Sequence, residues 1–316
     1  MVAFLGEALI DFIETVDDRM LRSSFVPIVG GCAVNAATSC ARLECDVTYI
    51  GKISSDAFGQ ILIDHFESNN INLVQNLTNV DEQTVLAFAT LNRDGSATYS
   101  FYLEGTTLNA LSSDEIVAAL ETIESLHYLH VGSISLALEK SGQQIVKALE
   151  RLENKPFIFF DPNVRTNVVE NEENYRKRIV EVLKMTNMVK LSDEDLNLLF
   201  PALEKNEAVK HLLALGCDHI VLTKGKNGIR WFTQEGEDFF IEAIDNPIVD
   251  TVGAGDTVSG TILAYLEEHA IGPKDPIDET MIKEALELAV KAAAITTSRK
   301  GADPPTKEEL LHFAIE

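Results

Sequence analysis

The sequence predicts an α/β fold: a three-layer α/β/α sandwich with a mostly parallel central sheet, and a small, mostly antiparallel β-sheet beside it as a lid. Two observations carry this. From Ser112 onward, stretches of helical periodicity alternate with short apolar runs of strand length, the pattern of a parallel sheet flanked by helices. Separately, the β-rich runs 85–91 and 97–103 are joined by the polar loop 92–96 as a hairpin and read, with 9–16 and 25–29, as a second sheet.

The first element is the apolar run 2–5, closed by Gly6 and read as a buried strand. Gly30 and Gly31 then break the chain before a helix over 33–43, rich in strong helix formers, and a strand over 47–53. The alternating half predicts helices at 113–124, 139–153 and 171–185 and strands at 126–132, 156–161, 187–191 and 219–223. The runs 228–233 and 239–244 look like an edge meander, and helices 255–269, 279–297 and 306–315 close the chain. With no repeat or low-complexity linker, residues 1–316 read as a single domain whose lid comes from about 9–29 and 85–103.

Fifty acidic residues against 26 basic ones give a net charge of -24. Such a field repels nucleic acid and anionic membranes, so neither is an expected partner. No uncharged apolar run is long enough to span a bilayer. The first residues, MVAFLGEALIDFIE, carry acidic side chains and no basic flank, unlike a signal peptide. Cys32, Cys40, Cys45 and Cys217 form no CxxC pair, which fits a reduced, cytoplasmic protein. His127 and His130, three apart in a β run, point to opposite faces and read as structural.

In open α/β sheets ligands bind beyond the carboxyl ends of the strands, so strand-to-helix turns carry most weight. The segment from Asp250 to Asp256, DTVGAGD, follows β runs and opens a helix. Its small residues let backbone approach a ligand, and the free N–H groups of a helix start form an anion hole for phosphate oxygens. Main-chain dipoles thereby bind phosphate without a basic surface. Asp256, in the first turn, is placed to accept the proton of an attacking hydroxyl. Alone it could be a dipole-favoured helix-start residue; two glycines and a second Asp in the same turn favour the catalytic reading.

The segment DTVGAGDTVSG resembles the C-terminal signature of the ribokinase-like, or PfkB, sugar-kinase family. Thr261 departs from it, where Ala or Gly is common. A second family signature is matched by Gly30, Gly31, Cys32, Ala33, Val34 and Asn35, followed by Gly51, Asp56 and Gly59. The resemblance implies a ribokinase-like fold and ATP-dependent phosphorylation of a sugar hydroxyl. Asp256 matches the base, and Gly253, Ala254 and Gly255 the anion hole. Asp11, Gly30, Gly31 and Asn35 match the sugar-binding set, which Phe101, Asn163 and Arg165 extend. Lys190, Ser192, Thr223, Lys224, Gly225, Gly228 and Thr251 match positions near the nucleotide, while Lys226 reads as a solvated surface charge. Asp195 matches a magnesium position acting through water, and Asp250 and Val252 a monovalent-cation position, so ATP, Mg2+ and K+ are the implied cofactors.

A P-loop kinase is excluded by the lack of GxxxxGK[ST], and a dinucleotide-binding dehydrogenase by the lack of GxGxxG spacing. A weakly catalytic sugar or nucleotide sensor on the same fold is the alternative from another class. Among substrates, GEALIDF and DPNVR are similar to segments of fructokinases, and DPNVR also to 2-keto-3-deoxygluconate kinases. Leu103 occupies the lid position where a sugar-acid kinase is expected to place an arginine, which favours a neutral sugar. Fructose is first choice, a keto sugar acid second, ribose or a nucleoside third. Pairing of two copies through an apolar lid face is a further expectation.

Overall fold

The computed structural model describes residues 1–17, 22–91 and 97–313. The chain runs β1 (Val2–Leu5), β2 (Leu9–Asp17), β3 (Arg22–Gly30), α1 (Cys32–Arg42), β4 (Val47–Ile50), α2 (Ala57–Ser68), β5 (Ile71–Leu73), β6 (Val85–Leu91) and β7 (Ala97–Tyr102). It continues α3 (Ser113–Glu121), β8 (Tyr128–Gly132), α4 (Ile134–Ala137), α5 (Glu139–Arg151), β9 (Phe157–Asp161), α6 (Glu172–Leu183), β10 (Met188–Ser192), α7 (Asp193–Leu199) and α8 (Lys205–Leu215). Last come β11 (His219–Thr223), β12 (Ile229–Thr233), β13 (Asp238–Ile241), α9 (Ala254–Glu268), α10 (Glu279–Thr297) and α11 (Lys307–His312).

Nine strands form one sheet in the order β13-β12-β11-β10-β9-β8-β1-β4-β5. It is parallel from β11 to β5, and β12 and β13 add the antiparallel edge that the meander predicted. The four residues of β1 are fully buried, because the strand lies inside a sheet covered on both faces. Ala3 and Leu5 enter one core and Val2 and Phe4 the other, as period-two alternation requires. The lid is a second sheet, β3-β2-β6-β7, antiparallel except for the β2–β6 pair. The hairpin loop 92–96 and the connection 18–21 lie outside the described residues.

Four helices and a strand that the sequence reading left unassigned complete the layers: α2, α4, α7, α8 and β5. Their local signals were present. The Asp56 carboxylate caps α2 by accepting from the Phe58 and Gly59 amides, and α8 ends at Gly216 with φ 115.

The crossing of α1 with α9 positions the site. A Cβ at Gly260 would fall 2.3 Å from the Ala36 carbonyl oxygen, so glycine lets the two helices touch through backbone. Thr261, the departure from the family pattern, is fully buried there, its hydroxyl 3.4 Å from that of Ser39.

Candidate active site

A cleft of about 1260 Å3 lies between the carboxyl ends of the parallel strands and the lid. The sheet supplies Glu7 after β1, Ser133 after β8, Asn163 and Arg165 after β9, Ser192 at the end of β10 and Thr223 at the end of β11. This is where the strand order leads one to look.

The Gly253–Ala254–Gly255 turn is set by close packing. Gly253 has φ 75, in the left-handed region, and a Cβ there would meet the Ala302 Cβ at 2.4 Å. Helix α9 begins at once, at Ala254, and Thr257 N–H is the first to bond within it, to Gly253 O at 2.8 Å. The Gly255 and Asp256 amides, in the opening turn, have no carbonyl inside the helix to bond, which leaves donors for an anion. Asp256 is 7% exposed. Its Oδ2 accepts from the Asn35 amide at 2.8 Å and its Oδ1 from the Asn163 amide at 3.2 Å. Asn163, expected to touch sugar, is held at φ 37 and faces Asp256.

Lys190, expected near the nucleotide, lines the cleft. It is buried, 2.6 Å from Asp161 Oδ2, and donates to the Gly255 carbonyl at 3.4 Å. Burial works against its charge, yet the Asp161 carboxylate beside it holds the ammonium well above the usual lysine range. A fixed cation thus stands behind the Gly255 carbonyl in a strongly acidic chain.

On the lid side, a Cβ at Gly30 would lie 2.2 Å from Asp11 Oδ2, so glycine makes room for that carboxylate. Burial pushes the Asp11 carboxyl up to about 6, against the pull of Arg165 and with the push of Asp256. Gly31 has φ 108. Beside it lies Glu7, a buried carboxylate that the sequence reading passed over. Glu7 accepts from the Cys32 amide at 3.1 Å and the Ser135 amide at 3.2 Å, so it ties the glycine turn to the strand β8 exit. Burial raises it to about 7 despite those bonds. Tyr99 and Phe101 of β7 also line the cleft. Leu103 does not: it lies beyond the end of β7 and packs against the core, so its identity says nothing about a sugar carboxylate.

On the other side, Thr223, Gly225, Gly228 and Thr251 line the cleft. So does Lys226, while Lys224 turns its backbone to the Gly228 carbonyl and stays out of the lining, the reverse of the sequence preference. Ser192 and Asp195 cap α7 reciprocally: Asp195 Oδ2 accepts from the Ser192 amide at 2.9 Å and hydroxyl at 2.7 Å, and Oδ1 from the Val164 amide at 2.8 Å. Asp250 Oδ1 accepts from the Val252 amide at 3.1 Å and Oδ2 from the Gly301 amide at 2.9 Å, closing the turn before α9 onto the loop after α10. An apolar wall of Ile244, Ile248, Val290, Ala293 and Ala294 completes this half and was not foreseen. Its sequence signal was the small-residue run in α10.

A family profile described as "pfkB family carbohydrate kinase" matches residues 1–309. "Probable fructokinase-4" of Arabidopsis thaliana is 31% identical over 325 residues, covering 98% of this chain and 95% of that protein. The structure of a fructokinase from Xylella fastidiosa with bound ATP superposes with a TM-score of 0.86 at 24% identity, over 98% of this chain and 96% of that one. The fructokinase of Vibrio cholerae O395 in its fructose, ADP and calcium ion bound form gives 0.84 at 23%, over 100% and 98%. The two superpositions establish the expected fold. Among the described residues no helix is long and apolar enough to cross a membrane.

Proposed function

The chain belongs to the pfkB family of carbohydrate kinases, and from that premise we propose that it transfers the γ-phosphoryl group of ATP to a hydroxyl of fructose, giving fructose 6-phosphate. The observation that carries this reading is Asp256: a buried carboxylate at the opening turn of α9, gripped by two amides, at the junction of a lid-side and a strand-end half of one cleft. The fructokinase likeness of Arabidopsis thaliana, at 31% identity, supports the choice of sugar.

Asp11 and Asn35 hold the sugar, and Asp256 takes the proton of the attacking hydroxyl. The Gly253–Ala254–Gly255 turn, backed by Lys190, stabilises the charge that develops on the transferred group. The small sheet closes as a lid that keeps water from the γ-phosphate. Magnesium would neutralise the phosphates, and the oxygen donors that fit it are Asp195 and Glu194 on the cleft wall. Both Asp195 oxygens already accept hydrogen bonds, so this carboxylate suits a cation that keeps its waters. With the Asp250 carboxylate tied to two amides, backbone carbonyls of Asp250 and Val252 are the donors left for K+.

A keto sugar acid is the second reading, because the Arg165 guanidinium in the cleft could grip a carboxylate. The outer lid face, where Phe12 and Phe88 stack at 4.7 Å beside Phe25 and Tyr102, would pair two copies. The deciding experiment measures ADP release with fructose, 2-keto-3-deoxygluconate, ribose and adenosine, for wild type and Asp256→Ala. Turnover with fructose that vanishes in the variant is expected. Turnover that survives the substitution removes Asp256 as the base, and no stimulation by any sugar favours the sensor.

A further inference from the structure

Beneath the anion hole, between the large sheet and the helices α1 and α9, three side chains of metal-binding type meet. Cys32 opens α1, His130 lies in β8 and Asp161 ends β9, and one ligating atom of each lies within 4.8 Å of the others. All three residues are buried. His130 does point away from His127, as alternation requires, but into this cluster.

What marks the cluster is its unpaired atoms. Both ring nitrogens of His130 and Oδ1 of Asp161 have no hydrogen-bond partner among the described residues. Asp161 Oδ2 accepts from Lys190 at 2.6 Å, from the Ser259 hydroxyl at 3.0 Å and from the Cys32 thiol at 3.8 Å. The imidazole lies between Phe4 and Phe159, with ring centroids 5.2 and 5.7 Å away, so its N–H finds no acceptor there. Buried polar groups are normally paired, and such an exception calls for a physical account.

We propose that Cys32, His130 and Asp161 form a buried site for a thiophilic divalent cation of the zinc class, and that its occupation inhibits phosphoryl transfer. Thiolate, imidazole and carboxylate together are a zinc donor set, whereas Mg2+ wants oxygens alone. Bonds of about 2.0–2.3 Å in a tetrahedron put ligating atoms roughly 3.5 Å apart. The ligating atoms of the three residues already lie within 4.8 Å of one another, and Asp161 Oδ1 is free to bind, so a small inward movement completes the shell. Cys32 also lines the cleft, which gives the ion an entry path and water for its fourth position. On binding, the Cys32 thiol loses its proton to solvent. Drawing Asp161 toward the metal loosens its hold on Lys190, and with it the support of the Gly255 carbonyl. The inhibitory effect rests on the kinase reading; the binding does not.

Chelator-treated full-length protein is titrated with Co2+ in excess Mg2+. One cobalt per chain with a sulfur-to-cobalt charge-transfer band is expected. Affinity should fall roughly tenfold or more in His130→Phe, and the band should vanish in Cys32→Ser. In the kinase assay, equimolar Zn2+ should lower kcat of the wild type several-fold, while His130→Phe keeps basal turnover and resists. Cys32→Ser, nearly isosteric, serves the binding test should His130→Phe fail to fold. A wild type without the band, or a band that survives both substitutions, overturns the site. Zinc bound with turnover unchanged overturns the inhibition, and a wild type that never turns over any sugar overturns the kinase reading instead.

Discussion

The Asn35 amide donates to the Asp256 carboxylate across 2.8 Å, although the two residues are 221 positions apart. One side chain thereby orients the proposed base and ties α1 to α9.

That contact predicts two different failures. Asn35→Ala removes a hydrogen bond to a charged group and should lower kcat with little change in fold. Asn35→Asp sets a second carboxylate against the first, so one of the pair must hold its proton to higher pH. The acidic limb of the kcat profile should move upward by about one unit or more. A pH–rate profile of both variants checks this; an unmoved limb in Asn35→Asp would mean that Asp256 is not the titrating base.

Asp11 titrates at about 6. Below that pH it takes up a proton and ceases to be an anionic acceptor for sugar hydroxyls. KM for the sugar should rise as pH falls through 6, with KM for ATP flat. Asp11→Asn should raise KM by roughly tenfold to a hundredfold, the worth of a charge-assisted hydrogen bond, and lose the pH dependence. Initial-rate kinetics from pH 5 to 8 distinguish the cases.

Glu7, raised from 4.5 to about 7, leaves a mark on stability. Between those values the unfolded chain releases this proton and the folded chain keeps it. The folded state binds more protons, so stability falls as pH rises through the window and levels off above it. The loss from this group is on the order of 3 kcal/mol. Glu7→Gln cannot titrate, so the difference between wild type and variant in urea unfolding should change across pH 4.5–7. Parallel curves would mean that Glu7 is not raised.

Gly253→Ala should suffer twice. A left-handed φ costs an L-residue about 1–2 kcal/mol, and the new methyl meets Ala302 at 2.4 Å. Lower kcat/KM for ATP and a lower Tm are expected. Adding Ala302→Gly relieves the collision and not the strain, so it should restore part of the loss. Full restoration would show that φ 75 is no constraint.

Lys190→Met leaves the Asp161 carboxylate without its cation in the interior, at a cost of about 3–5 kcal/mol. Lys190→Met with Asp161→Leu should recover much of the stability but not kcat, since the cation behind the Gly255 carbonyl is still missing. Denaturant unfolding and turnover of the double-mutant cycle separate the two effects.

The glycine turns, the alternation of strands and helices and the span of α10 were legible because each is a local pattern. The short elements around them were not. α7 is seven residues long, too short for a clear period, and its reciprocal cap of Ser192 with Asp195 shows only in the folded chain. Leu103 misled for a related reason: alternation predicts where a strand residue points, but β7 ends at Tyr102.

The sequence by itself determined the turn that opens α9, because positive φ at Gly253 and a helix starting at Ala254 depend on residues adjacent in the chain. Only the tertiary structure decided that Asn35 and Asn163 grip Asp256, that Lys190 backs Gly255, and that His130 meets Cys32 and Asp161. Those relations join strands and helices far apart in sequence, and no local period encodes which side chains a parallel sheet brings to one edge.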